Sequence, residues 1–135
     1  MQQRTHQHLL DSMHGEAFAY AKYMLYARQA RDNGQPAVAD LFEQTAQTEL
    51  LEHFAEEAAL VGLGGSDAAN LRDAVAGESY EVETMYRQFA EDAKADGDEA
   101  AAARFAEVRQ DEARHRDAFA ALLTRLESAG AARHQ

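Results

Sequence analysis

The stretch that decides the fold is FAEVRQDEARH, at residues 105–115. Four of its side chains recur every three or four residues: Phe105, Val108, Glu112 and His115. This spacing places them on one face of an α-helix. The face is apolar at its start, as in a helix that packs on a protein core, and then presents a carboxylate and an imidazole. Because residues three apart share a helix face, Glu112 and His115 can both reach one metal ion.

The rest of the chain repeats this pattern in three further helical segments. Each has an apolar stripe at helical spacing that is interrupted near its middle by glutamate. The interrupting residues are Glu16 in the first segment, Glu49 and Glu52 in the second, and Glu78 and Glu81 in the third. Most glutamates on helices are solvated. Several glutamates that face one core would repel one another and would have to take up protons or bind cations. Their matching positions therefore indicate a site for two divalent metal ions.

Turn residues separate these segments. Asn33-Gly34 followed by Pro36, the glycine-rich run at 62–65, and Asp96-Gly97 are signals that end one helix and begin the next. They predict helices over about 5–31, 36–61, 67–95 and 98–129, with no segment that alternates as a strand would. We therefore expect an all-α four-helix bundle that forms a single domain over residues 1–135.

Composition narrows the function further. The chain has no cysteine, which excludes disulfides, zinc–thiolate sites and iron–sulfur centres within it. Its net charge of −11 argues against binding to nucleic acid or to an anionic membrane surface. The N-terminus is polar and no apolar run approaches the length of a membrane span. We expect a soluble cytoplasmic protein.

The two halves of the chain resemble each other. Gly15-Glu16 matches Gly77-Glu78, and Phe42-x6-Glu49-x2-Glu52 matches Phe105-x6-Glu112-x2-His115. A duplicated helical hairpin would give a bundle with a pseudo-two-fold axis, and a dinuclear site on that axis follows naturally. This register favours Glu52 as the second ligand of the second helix. The alternative is Glu49 with His53, which also share a face at a spacing of four.

From roughly residue 8 to residue 126, the sequence resembles the rubrerythrin family. The most specific motifs are Gly77-Glu78-Ser79-Tyr80-Glu81 with Met85-Tyr86, Glu112-Ala113-Arg114-His115, and Gly15-Glu16 with Tyr23. The resemblance implies a ferritin-like bundle that holds two iron ions and reduces hydrogen peroxide to water. It implies metal ligands at Glu16, Glu49, Glu78, Glu81, Glu112 and His115, with Tyr23 and Tyr86 donating hydrogen bonds to ligand carboxylates. Oxygen and imidazole ligands suit manganese about as well, at one or both positions.

Two departures from the family pattern matter. Many members carry a C-terminal rubredoxin domain, whereas this cysteine-free sequence is similar to the shorter erythrin-type members. Electrons would then come from an external donor such as a rubredoxin-like protein. In addition, the family has a histidine where Glu52 aligns. A carboxylate there would favour oxidised metals, and it would not provide the histidine toward which an iron moves on reduction in the family.

The short connection between the second and third helices bears on assembly. In ferritin-like bundles these two helices run parallel, which would require a return of roughly 30 Å at 1.5 Å per residue. About five residues, 62–66, span at most about 18 Å. The chain is therefore either an up-down-up-down bundle or a homodimer completed by domain swapping. The leading function is peroxide reduction, and dioxygen activation stays open. Alternatives are ferritin-like iron oxidation and storage, or a non-catalytic helical interaction module.

Overall fold

The computed structural model describes residues 1–132, and for residues 130–132 the backbone alone. All regular structure in this part of the chain is helical, which confirms the predicted all-α, ferritin-like class. The first helix is Gln3–Asp32 and the fourth is Glu99–Ala132. The second helix runs from Pro36–Thr48 through a π-helical segment, Glu49–Phe54, into Ala55–Val61. The third runs from Asp67–Tyr80 through a second π-helical segment, Glu81–Met85, into Tyr86–Asp96. No helix within residues 1–132 is both long and apolar enough to cross a membrane.

The helices end where the turn residues indicated. Gly62 follows the second helix with φ of 70°, and Gly97 follows the third with φ of 83°. This left-handed conformation is open to glycine and lets the last carbonyls of a helix accept amides from beyond its end. Pro36 lies at the start of the second helix, and the Ser66 hydroxyl accepts the amide of Ala69 at the start of the third. The predicted bounds lie within about three residues of the observed ones.

The chain divides into two compact units, which we call the first hairpin (residues 1–64) and the second hairpin (from residue 65). The first contains the first and second helices, which meet through small side chains. Ala27, Ala30 and Ala39 form its buried cluster, with Phe42 packed against them. In the second hairpin, Val82 and Ala93 are buried. The expectation of a single domain over the whole chain stays a prediction.

Many large apolar side chains of the predicted stripes remain accessible within each hairpin. Leu41 is 65% exposed in the first, and Leu122 is 45% exposed in the second. Two helices alone cover only one side of each apolar stripe, and stable domains bury the other side against a further layer. The expectation that the stripes line a four-helix core therefore depends on how hairpins associate.

The π-helical segment of the third helix takes up one extra residue. Seven residues lead from Glu16 to Tyr23, but eight lead from Glu78 to Tyr86, and the longer interval contains Glu81–Met85. A π turn closes with an i→i+5 hydrogen bond instead of i→i+4, so it holds one more residue without rotating the following side chains off their face. The aromatic contacts of the two hairpins therefore match. The ring centroids of Tyr23 and Phe42 lie 5.7 Å apart, and those of Tyr86 and Phe105 lie 6.2 Å apart.

The other π-helical segment takes up an extra residue in the opposite half of the repeat. Glu112 and His115 are three residues apart in the regular fourth helix. Glu49 and His53 are four apart, and both lie in the π-helical segment Glu49–Phe54. Within a wider π turn, a spacing of four brings two side chains together as a spacing of three does in an α-helix. This local geometry brings the imidazole of His53 beside the carboxylate of Glu49.

Candidate metal centre

The first hairpin brings together one carboxylate from its first helix and a carboxylate and an imidazole from its second. Ligand atoms of Glu16, Glu49 and His53 all lie within 4.8 Å of one another. His53 Nδ1 is 2.8 Å from Glu49 Oε2 and 3.6 Å from Glu16 Oε2. The two carboxylate side chains are largely buried, whereas half of the imidazole is exposed. We call this group the first cluster.

The second hairpin builds the same donor set. Ligand atoms of Glu78, Glu112 and His115 also lie within 4.8 Å of one another. His115 Nδ1 is 2.7 Å from Glu112 Oε2 and 3.9 Å from Glu78 Oε1. The carboxylates are again largely buried and the imidazole half exposed. We call this group the second cluster, and it is related to the first by the sequence repeat.

Crowding of the carboxylates changes their affinity for protons. The pKa of Glu16 is raised by its hydrogen bond with Glu49, by burial and by the charge of Glu49. The pKa of Glu78 is raised by desolvation and then by its hydrogen bond with Glu112 and the charge of Glu112. For His53, desolvation opposes the charged form, but Glu49 and Glu16 outweigh it and raise the pKa. Each cluster is thus an anionic site whose crowded carboxylates hold protons more tightly than free ones and would be stabilised by a bound cation.

The residues present fit a metal ion in each cluster. Two carboxylates and one imidazole form a hard to borderline donor set that suits iron or manganese. Glu78 Oε2 is buried without a hydrogen-bond partner, as one of two such carboxylate oxygens in the described part of the chain. A buried oxygen of this kind is costly unless something binds it, and a cation between Glu78 and Glu112 would do so.

Two predicted ligands lie outside the clusters. Glu52 is exposed and is not part of the first cluster, where His53 takes the place predicted for it. The geometry therefore favours the open alternative of Glu49 with His53, and ligation by Glu52 stays a prediction. Glu81 is half-buried outside the second cluster, but its charge raises the pKa of Glu78. Its ligand role also stays a prediction.

The two predicted supporting tyrosines occupy matching places beside the clusters. Tyr23 and Tyr86 are half-buried, and each ring packs against the phenylalanine of its own hairpin. The pKa of Tyr86 is raised by desolvation and by the charges of Glu81 and Glu112. Donation of hydrogen bonds from either tyrosine to a ligand stays a prediction.

One polar pair near the first cluster was missed from the sequence. The Ser12 hydroxyl donates a 2.7 Å hydrogen bond to Glu57 Oε1, while Glu57 Oε2 is buried without a hydrogen-bond partner. Glu57 follows His53 by four residues, so it lies about one helical turn from the first cluster. The spacing of four residues from His53 is the sequence signal that points to Glu57. The repeat equivalents in the second hairpin are apolar, Ala74 and Phe119.

The rubrerythrin family model matches residues 7–55 and 49–123. The chain belongs to the rubrerythrin family. It is 36% identical to a rubrerythrin of Porphyromonas gingivalis over 92% of this chain and 68% of that protein. It is 32% identical to a nigerythrin of Nitratidesulfovibrio vulgaris over 87% of this chain and 64% of that protein. A rubrerythrin of the same organism is also 32% identical, over 86% of this chain and 67% of that protein.

The chain therefore spans about two thirds of the length of these relatives. Membership of the rubrerythrin family supports a di-iron centre of the ferritin-like superfamily and an oxidoreductase activity. The two clusters are the groups of side chains in the described residues that could hold these metals.

Proposed function

We propose that this chain is a di-iron peroxidase that reduces hydrogen peroxide to water with electrons from an external donor. The observation that carries the proposal is the pair of matching Glu-Glu-His clusters, one in each half of the sequence repeat. Two similar metal sites that each give up one electron would suit a reaction that consumes two electrons. Iron is the metal we propose at both, with manganese as the alternative at either.

Reduction of one peroxide molecule to two waters takes up two electrons and two protons. Two ferrous ions, when bound, would supply one electron each and act as Lewis acids toward the peroxide oxygens. The protein side chains hold the site in place. Glu49 and Glu112 are the most buried carboxylates of their clusters, and each lies within hydrogen-bond distance of its own histidine. The half-exposed imidazoles leave one side of each cluster accessible to a small oxidant.

The electron donor is expected to be a separate site. These 135 residues contain no cysteine, so a rubredoxin-type iron centre that feeds the clusters lies outside them. A rubredoxin-like redox protein is the donor we propose. The net charge of −11 would favour a donor that presents a basic surface around its metal.

The experiment that tests the proposal begins with metal content per chain after purification without chelator, measured by elemental mass spectrometry. The reduced protein is then mixed with hydrogen peroxide or with dioxygen in a stopped-flow instrument. We expect two metals per pair of clusters, chiefly iron, and faster oxidation by peroxide. A protein that takes up no iron(II) under anaerobic conditions would exclude the enzyme. Faster oxidation by dioxygen with mineral deposition would instead indicate iron storage.

For assembly, we propose a homodimer in which the first hairpin of one chain completes a bundle with the second hairpin of the other. Each hairpin offers half of the donor set and an uncovered apolar stripe. The five residues 62–66 are too few to return the third helix along a ferritin-like bundle in one chain. The expected mass in solution is about twice the 14.9 kDa of the chain.

Complementation distinguishes this dimer from others. One variant, E16A with E49A, lacks the first cluster, and the other, E78A with E112A, lacks the second. Mixed and refolded together, swapped heterodimers regain one intact pair of clusters, so about a quarter of the wild-type activity returns. Activity that stays at the level of the separate variants, or a fully loaded 14.9 kDa monomer, would contradict the swap.

A further inference from the structure

Arg109 makes an unusual contact beside the second cluster. Its Nε donates a 2.6 Å hydrogen bond to the backbone carbonyl of Val82, across the second hairpin from the fourth helix to the third. Arg109 precedes the cluster residue Glu112 by three positions and is half-buried. Val82 directly follows Glu81, inside the π-helical segment Glu81–Met85. The bond therefore joins the helix that carries two cluster residues to the irregular part of the helix that carries the third.

The π-helical segment explains why the Val82 carbonyl needs a donor from outside its own helix. The amide of Tyr86 bonds to the carbonyl of Glu81, five residues back. The α-helix resumes at Tyr86. With α-helical spacing we expect the next amide, that of Arg87, to bond four residues back to Glu83. The carbonyl of Val82 is passed over by this change of step. Val82 is buried, so a carbonyl without a hydrogen-bond donor would be costly here, and the guanidinium of Arg109 supplies that donor.

The segment held in this way determines where two side chains near the second cluster lie. Glu81 begins it and Tyr86 immediately follows it. The extra residue between them keeps Tyr86 against Phe105. Glu81 follows Glu78 by three residues, so the two carboxylates lie on one face of the third helix. If the segment relaxed to an α-helix, every side chain after it would rotate by about 100°.

The first hairpin provides an internal comparison. The repeat equivalent of Arg109 is Ala46, which is fully buried, and the first helix, Gln3–Asp32, is regular throughout. The arginine therefore occurs in the hairpin whose leading helix contains a π-helical segment. We propose that Arg109 is a positioning residue that holds the π-helical segment Glu81–Met85 and so directs Glu81 and Tyr86 toward the second cluster. Its effect on metal binding rests on the proposed metal centre.

The test compares Arg109→Met, which keeps the aliphatic stem but removes the donor, with Arg104→Met. Arg104 lies on the same helix, is 64% exposed and pairs with Glu107, so the control removes the same charge. In the metal-free full chain, amide hydrogen exchange at Tyr86 and Arg87 should be at least about tenfold faster in R109M than in R104M. Equal exchange rates in the two variants would overturn the proposal, whether or not the protein binds metal.

A second measurement is anaerobic titration with Co²⁺, followed by its visible absorption. Loss of a residue that supports a metal ligand typically weakens binding by about 10–100-fold. We expect R109M to weaken one of two equivalents by at least about tenfold and to leave the other, assigned to the first cluster, unchanged. Equal weakening of both equivalents would mean general destabilisation and would overturn the positioning role. If wild-type protein binds no Co²⁺, the proposed function fails, and hydrogen exchange still decides whether Arg109 holds the segment.

Discussion

The two hairpins bring together the same donor set, two glutamates and a histidine, by different local routes. In the first, the carboxylate helix is regular and the helix with glutamate and histidine contains the π-helical segment. In the second, the π-helical segment lies in the carboxylate helix and the helix with glutamate and histidine is regular. A π turn accommodates the extra residue in each hairpin, so the donor atoms come together in both hairpins. The repeat is therefore matched in space and not in residue spacing.

The surroundings of the clusters differ more than the clusters themselves. The first has the Ser12–Glu57 pair one turn away, where the second has apolar residues. The second has Arg109 bound to a backbone carbonyl, where the first has the small Ala46. If both clusters hold metal, equal donors in unequal surroundings should give them different affinities and reduction potentials. Predictions that change matching residues in the two hairpins test this directly.

The largest effect is expected from removing the most buried carboxylate of either cluster. Glu49→Gln and Glu112→Gln each replace a charged ligand by a neutral amide. We expect each to weaken one metal equivalent by more than about 100-fold and to abolish peroxide reduction, because both metals must supply electrons. Anaerobic metal titration and peroxide kinetics measure this. Matched controls are Glu43→Gln and Glu107→Gln, one on each of the same helices. Loss of both equivalents in a single variant would show that the clusters are not independent.

The next largest effect should distinguish His53 from its neighbour Glu52 in the π-helical segment Glu49–Phe54. His53→Ala removes a ligand atom of the first cluster, whereas Glu52→Ala changes an exposed side chain outside it. We expect the first to weaken metal binding by about 100-fold and the second by less than about twofold. The same titration measures both. The reverse order would restore Glu52 as the ligand and would mean that the helix straightens when metal binds.

Much of the fold was readable from the sequence because it follows from local signals. Helical spacing, Pro36 and the positive-φ glycines Gly34, Gly62 and Gly97 are sufficient to place the helix ends. Five of the six cluster residues were predicted for the same reason, since an apolar stripe that is interrupted by glutamate is visible in the sequence. His53 was only an alternative. α-Helical spacing favours Glu52 over His53, and a π turn is a tertiary compromise that leaves no strong local signal in the sequence.

The unequal spacing of the two halves was nevertheless the trace of that π turn, and a deletion would test it. Removal of Glu52 leaves Glu49-Leu-Leu-His, the same spacing as Glu112 and His115. We expect the segment to become α-helical, with metal affinity changed by less than about threefold. Removal of Gln47 from the regular part of the second helix is the control, because it rotates both ligands by about 100° away from Phe42. If both deletions were equally damaging, the extra residue would not be what the π turn accommodates.

The smallest predicted effect is on the pH dependence of the metal-free protein. The pKa values of Glu16 and Glu78 are raised above 4.5, so the stability gained from their protonation in the folded state is lost as pH rises through the raised values. The pKa of His53 is raised above 6.5, so its contribution is complete below that pH and is lost as pH rises through the folded value. Both terms have the same sign. The unfolding temperature of chelated protein should therefore fall by a few degrees between pH 5 and pH 8, as circular dichroism would show.

Metal should reverse that slope, because carboxylate and imidazole ligands bind cations only after losing their protons. With saturating Mn²⁺ the unfolding temperature should rise over the same pH range. Glu16→Gln and Glu78→Gln should each flatten the metal-free curve, since an amide does not titrate. A metal-free protein that becomes more stable as pH rises would mean that the crowded carboxylates do not share protons in the folded state. Unequal flattening by the two variants would show that the clusters match in their positions but not in their electrostatics.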